Sequence, residues 1–159
     1  MREWTNDKPL VCATMFGVTT PCIERARAVL EQAGYEVLVF HATGMTIADG
    51  RAATRAALAA PVRPTALLCL SDVQATGALQ ECLHAGIRVP EALSVIGTDD
   101  LPGSAHLYPA LTTVHLPVGR MGRVAADAIA GWVEAQRRPE AQLLDIALMA
   151  RDSTAAPPS

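Results

Sequence analysis

Basic residues are scarce in this chain, and none of them cluster. One lysine, Lys8, and scattered arginines leave 159 residues with a net charge of −3. A face that grips nucleic acid needs grouped Lys and Arg, so no direct nucleic-acid binding is expected. Aromatic residues make up 4%, which obliges the core to be aliphatic. Charged residues stop at 18% while half the chain is hydrophobic, a balance that excludes a disordered polyelectrolyte. There is no apolar run of membrane-spanning length and no signal-peptide pattern, so no membrane association is expected. The four cysteines, Cys12, Cys22, Cys69 and Cys82, form no CxxC pair and no zinc spacing. They read as reduced thiols of a cytoplasmic protein, three of them on apolar faces. No GxGxxG and no P-loop word occurs, so no cofactor is expected.

What is present centres on Pro64–Asp100. The apolar run Thr65–Leu70 stops abruptly at Ser71–Asp72. A helix-period segment follows, with Ala75, Ala78, Leu79, Cys82 and Leu83 at i, i+3, i+4, i+7 and i+8. Gly86 ends it and Pro90 bars continuation. A second apolar run, Leu93–Ile96, leads into Gly97–Thr98–Asp99–Asp100. Strand, helix, strand with both strands apolar throughout is the signature of a buried parallel sheet. Polar groups collect just past the carboxyl ends of its strands, where open α/β sheets bind ligands.

Around this core the chain alternates. Met1–Lys8 is polar and expected to be disordered. Pro9–Phe16 reads as a strand, Gly17–Val18–Thr19 as a turn, and Thr20–Pro21 as the N-cap and first position of a helix to Ala33. That helix should bury Ile23, Ala26, Leu30 and Ala33. Tyr35–His41 is a strand, and an Ala-rich helix runs from about Ile47 to Ala60. Leu101–Pro109 is a loop with room for one helical turn, and Leu111–His115 a β-branched strand. Pro117 opens a long helix with Val118, Met121, Ala125, Ala128, Ile129 and Trp132 on one stripe, ended by Arg137–Arg138–Pro139. Leu143–Met149 closes the sheet, and residues 155–159 form a tail. The pattern implies one α/β domain over 9–154: a three-layer, flavodoxin-like, mostly parallel sheet in the order 2-1-3-4-5 with helices on both faces.

Particular words then tie the chain to known families. TIADGRAAT (46–54), RPTALLCLSD (63–72), GALQECLHAGIRVP (77–90), LSVIGTDD (93–100), LTTVHLP (111–117), Met121–Gly122 and RDST (151–154) keep order and spacing. From about residue 45 to 154 the chain therefore resembles the C-terminal effector-sensing subdomain of the lac repressor (LacI/GalR) family, whose fold is periplasmic-binding-protein-like. Residues 8–44, with MFGVTTPC and GYEVLVFHATG, resemble a segment of the Tm-type tobamovirus-resistance proteins and their bacterial relatives, an ATP-binding family. Together these imply a chimera, a grafted first βαβ unit (9–44) joined to a repressor-like part (45–154) near Gly44–Thr46. The helix-turn-helix, the hinge helix and the N-terminal sensor subdomain of the repressors are not found in the sequence. Only one lip of the effector cleft is then expected.

The resemblance implies roles for specific residues. Asp99, the first acid of the GTDD word, would hydrogen-bond the hydroxyls of a sugar or nucleoside-like effector, a role that suits a strong acceptor; capping a loop is the structural alternative. Ser71 would point into the cleft, Asp72 would N-cap its helix, and Asp100 would be a structural cap. Met45 and Val118 fall where apolar side chains pack on ligand, with simple packing as the alternative, and Leu116 replaces a frequent Gln. Cys22 stands where the repressors usually carry an effector-binding arginine. A nucleophilic Cys22 is disfavoured, since His41 and His115 are not placed to act as its base, so no catalytic residue is assigned and the protein is not expected to be an enzyme. His41, Asp72, Asp99 and His115 share one sheet edge, yet no metal-ligand spacing links them, and no metal is expected. The helix after the SD word (Val73–Ala85) and the loop Gly103–Tyr108 would form a homodimer contact through Thr76, Gln80 and Leu107. The rival reading is a nucleotide-binding or enzymatic fragment, with Cys22 and Thr19–Thr20 near a phosphate; an inert fusion scaffold is the third.

Overall fold

The strands form because β-branched and aliphatic residues alternate over short runs, and the helices because small and aliphatic residues recur every three to four positions. The computed structural model describes residues 10–15, 20–41, 43–136 and 138–157. The expected disorder of Met1–Lys8, the turn at 17–19, the Arg137 helix stop and residues 158–159 of the tail lie outside the described residues, as do the side chains of Thr20 and His41. The elements are β1 (Leu10–Met15), α1 (Thr20–Gln32), β2 (Glu36–His41), α2 (Ile47–Leu58), β3 (Ala66–Leu68), α3 (Asp72–His84), β4 (Ser94–Asp99), β5 (Thr112–His115), α4 (Val118–Ala135) and β6 (Ala147–Met149), with a 3₁₀ turn at Ser104–His106.

The sheet order is β2-β1-β3-β4-β5-β6. The first five strands are parallel in the expected 2-1-3-4-5 order, and β6 pairs antiparallel with β5, Val114 opposite Leu148. The closing strand is shorter than the seven residues its apolar character suggested, three in all. One face of the sheet is dry: Cys12, Leu67, Cys69, Val95 and Leu111 pack with Ala57 of α2 and Ala75, Ala78, Leu79 and Cys82 of α3. The four thiols are free, and Cys22 is the exposed one. Burial pushes the Cys12 and Cys69 thiols up to about 12, so neither is a nucleophile.

The other face is thinner. Ile23 of α1 is buried against Leu70, with Val39 and Leu68 partly buried beside it. Ala33, expected inside, is exposed, because α1 ends at Gln32 and the chain has already turned away. The stripe on α4 is likewise not covered: Val118, Met121, Ile129 and Trp132 are exposed. Periodicity correctly marked that stripe as one face. Among the described residues, however, nothing lies over it to exclude water. Leu83 differs in the same way, 81% exposed at the i+8 position of α3.

Residues 151–155 tie the sheet together at the strands' amino ends. Ser153 is buried; its hydroxyl donates to the Val95 carbonyl (2.6 Å) and accepts from the Thr112 N–H (2.8 Å). Its own carbonyl accepts from the Val95 N–H at 2.8 Å. One serine thus bridges β4 and β5 just before their ladder begins.

Candidate functional site

The first turn of α3 organises the carboxyl edge of the sheet. Ser71, not Asp72, is the N-cap: its hydroxyl accepts from the Gln74 N–H at 3.2 Å, and Ser71 is buried. The expectation for Asp72 fails because Ser71 has the extended backbone a cap needs, and Asp72 is already inside the helix. Freed from capping, the Asp72 side chain reaches across the sheet edge. It accepts from the Leu101 N–H (2.8 Å) and from the hydroxyls of Ser104 and Thr113 (both 2.5 Å). Gln74, also buried, donates to the Gly44 carbonyl at 2.8 Å and so fixes the loop carrying Met45.

That loop is held from its other side by a capping box. Thr46 caps α2 by accepting from the Asp49 N–H, and Asp49 accepts from the Thr46 N–H (3.0 Å) and the Thr43 hydroxyl (2.8 Å). These bonds hold the Asp49 carboxyl below the usual carboxylate range, the Thr46 hydroxyl first among them. Asp49, the third residue of α2, completes the cap of a helix that begins at Ile47, and Gly50 lets α3 come close.

At the end of β4 the chain makes two successive left-handed residues, Asp99 (φ 115°), the last of the strand, and Asp100 (φ 55°). Outside glycine this conformation is strained, and such strain concentrates at binding sites. The two acids have opposite environments. Asp100 pairs with Arg151 (2.6 Å) and with His115 Nδ1 (3.1 Å), which hold its carboxyl below the usual range, Arg151 first. It is a structural anchor, although by ion pairing and not by capping. Asp99 is pushed above its ordinary 3.8 by burial and then by the charge of Asp72; the backbone N–H of Asp72 works the other way by donating to it.

The site residues named from sequence therefore separate. Met45 and Val118 are exposed, in the loop after β2 and at the start of α4, and Asp99 is half-buried at the last position of β4. Ser71 is beneath them, its hydroxyl engaged as a cap. Cys22 is exposed in the first turn of α1. Among the described residues no three His, Cys, Asp or Glu side chains group as metal ligands, and no helix is long and apolar enough to cross a membrane. Of the proposed dimer residues, Gln80 is exposed and Thr76 and Leu107 are half-buried. Spacing missed the exposed Leu83 and the fully exposed Tyr108, which share an apolar groove of about 370 Å³ with Leu79, Ile87, Val89 and Pro109. It also missed Gln74, which a buried amide beside an SD word could have suggested.

Comparison with known proteins matches residues 15–154 to the family model for a periplasmic-binding-protein-like domain. The match runs across the Gly44–Thr46 boundary without a break. The HTH-type transcriptional repressor PurR of Aliivibrio fischeri (strain MJ11) is 45% identical over 67 residues, 42% of this chain and 20% of that protein. The ribose operon repressor of Bacillus subtilis is 32% identical over 111 residues, 70% of this chain and 34% of that protein. A LacI-family transcriptional regulator from Arthrobacter sp. FB24, solved with lactose, superposes with a TM-score of 0.80 at 27% identity, covering 93% of this chain and 57% of the other. The chain thus spans between a fifth and a third of the two repressors it matches.

Proposed function

This chain belongs to the periplasmic-binding-protein-like domain family, and from that premise we propose that it serves as an effector-sensing and dimerising lobe of a LacI/GalR-type transcription regulator. The observation that carries the reading is Asp99, a half-buried carboxylate in a left-handed turn at the carboxyl end of β4, flanked along the sheet edge by Met45 and Val118. Asp99 would accept from effector hydroxyls, and Met45 and Val118 would pack on the apolar face of the ring. Ser71 acts from below, as the cap that fixes α3. A repressor named for a ribose operon and a regulator solved with lactose support a sugar-like effector. A nucleoside-like effector, the other class that the sequence resemblance implies, stays in the comparison. The relatives are repressors, so no reaction is assigned; DNA contact, on this reading, belongs to other parts of the regulator. The Tm-type resemblance of residues 8–44, and with it a graft, rests on the sequence words alone, and a family match from residue 15 onward favours a single continuous domain.

One lobe of such a cleft buries little of a ligand, so the affinity of these 159 residues tested by themselves should be weak, in the millimolar range of about −4 kcal/mol. D-ribose and galactose, titrated by NMR against ATP, test the reading. Shifts confined to residues 45, 99–101 and 118 on adding sugar, lost in Asp99→Ala, are expected. Tight ATP binding that survives Asp99→Ala would instead promote the nucleotide-binding rival.

The dimer reading extends from Thr76, Gln80 and Leu107 to the exposed Leu83 and Tyr108 beside them. Sedimentation should show a dimer at high micromolar concentration that Leu107→Asp dissociates. A monomer throughout, or a dimer indifferent to Leu107→Asp, would remove this part of the proposal.

A further inference from the structure

Asp72 is 1% exposed, and a carboxylate so buried must be compensated by donors. The compensation here is complete and comes from three separate segments. Oδ2 takes the Leu101 N–H and the Ser104 hydroxyl, and Oδ1 takes the Thr113 hydroxyl. Leu101 follows the left-handed pair, Ser104 opens the 3₁₀ turn, and Thr113 is on β5. β4 leaves room for this arrangement: a Cβ on Gly97 would stand 2.2 Å from Asp72 Oδ1.

None of these bonds serves α3, which Ser71 already caps. They also exceed what closing the sheet edge demands, since apolar packing joins such elements without desolvating a charge. What they hold in common is the chain on the far side of Asp99. Asp72 grips that residue from two directions, its side chain on the Leu101 amide and its backbone N–H on the Asp99 carboxylate itself.

We infer that Asp72 is a positioning residue: it locks the left-handed Asp99–Asp100 turn and thereby aims the Asp99 carboxylate at the effector. The inference rests on the proposed effector role of Asp99. It also narrows the ligand class, because a fixed negative charge behind Asp99 opposes phosphates and favours neutral hydroxyl donors.

The test uses the full chain with Asp72→Ala, Asp72→Asn and Asp99→Ala, read by three NMR measurements: exchange of the Leu101 amide, the pH titration of the Asp99 carboxyl carbon, and D-ribose titration. Asp72→Ala should speed Leu101 exchange at least tenfold and weaken ribose binding by a similar factor. Asparagine can accept from Leu101 and Ser104 and donate to the Thr113 oxygen, so Asp72→Asn should restore slow exchange. It should also move the Asp99 midpoint down, since one negative neighbour is gone. A residue remote from the Asp99 turn would leave that midpoint alone. Should Asp72→Ala fail to fold, Asp72→Asn and the Asp99 midpoint decide the matter. An unchanged Leu101 exchange rate in Asp72→Ala, or an unchanged Asp99 midpoint in Asp72→Asn, overturns the inference. So does ribose binding lost in Asp99→Ala but intact in Asp72→Ala. A parent chain that binds no ribose instead overturns the effector reading, and the exchange and titration still judge Asp72.

Discussion

Gly77→Ala is expected to lower the unfolding temperature by roughly 4–8 °C, while Gly122→Ala on the next long helix raises it. The same methyl group meets opposite surroundings. At position 77 a Cβ would stand 2.2 Å from the Ile47 carbonyl oxygen and 2.9 Å from the Arg51 nitrogen, both backbone atoms of α2. At position 50, on α2, a Cβ would meet the Gln74 carbonyl oxygen of α3 at 2.3 Å. The two helices therefore touch backbone to backbone, each glycine facing the other helix. Neither side can yield by a side-chain rotation, so over-packing should reach the upper end of its usual range, about 3 kcal/mol. Alanine's better helix propensity returns about 1 kcal/mol, leaving a net loss near 2. Around Gly122 nothing lies within 4 Å, so only the propensity gain remains. The contact also matters to the site. α2 starts at the Met45 loop and α3 at Ser71–Asp72, so a wedge between them should weaken sugar binding too. Equal thermal shifts for the two variants would show that the helices do not meet in this way.

How much of this could be read in advance depends on the range of the interaction concerned. The five parallel strands and their order follow from apolar runs, helix periods and crossover handedness, all of them local or nearly so. Cys12, Cys69 and Cys82 are buried as their apolar neighbours implied. The Ser71 cap was misplaced by one residue because Ser and Asp are equally good caps, and only backbone geometry chooses between them. The bonds that shape the site cross large separations: Asp72 to Thr113 spans 41 residues and Arg151 to Asp100 spans 51. No spacing rule carries such pairings. Glu81 is a similar case. It is held by Arg55 (2.8 Å) and Arg51 (3.1 Å) of α2, which keep its carboxyl below the usual range, Arg55 first, on a helix face that reads as small and apolar. The α4 stripe shows the converse. Periodicity reports which side chains share a face, and says nothing of what covers it.

Asp99→Asn is expected to make the domain more stable at neutral pH and its sugar binding about tenfold weaker. The backbone should be indifferent, because asparagine tolerates positive φ as well as aspartate does. The charge is another matter. Burial and the neighbouring Asp72 raise the Asp99 carboxyl above 3.8, so the folded chain holds that proton more tightly than the unfolded chain. Stability then falls as pH rises from 3.8 through the raised value, and above it the ionised form opposes folding in full. The amide removes the penalty, so the advantage of Asp99→Asn should be present at neutral pH and vanish below about 3.8. Asp100 has the opposite sign. Its carboxyl is lowered, by Arg151 first, so it stabilises the fold above 3.8, and that contribution is lost as pH falls through its depressed value. Asp100→Asn should therefore be less stable than the parent at neutral pH. Thermal unfolding of both variants from acid to neutral pH measures the contrast between adjacent residues of like chemistry. Binding moves the other way from stability at position 99, since losing a charge-assisted acceptor removes about 1.5 kcal/mol, a factor of ten. An Asp99→Asn chain less stable than its parent at neutral pH would show that the acid is there to hold the fold, and the effector site would have to be sought elsewhere along the sheet edge.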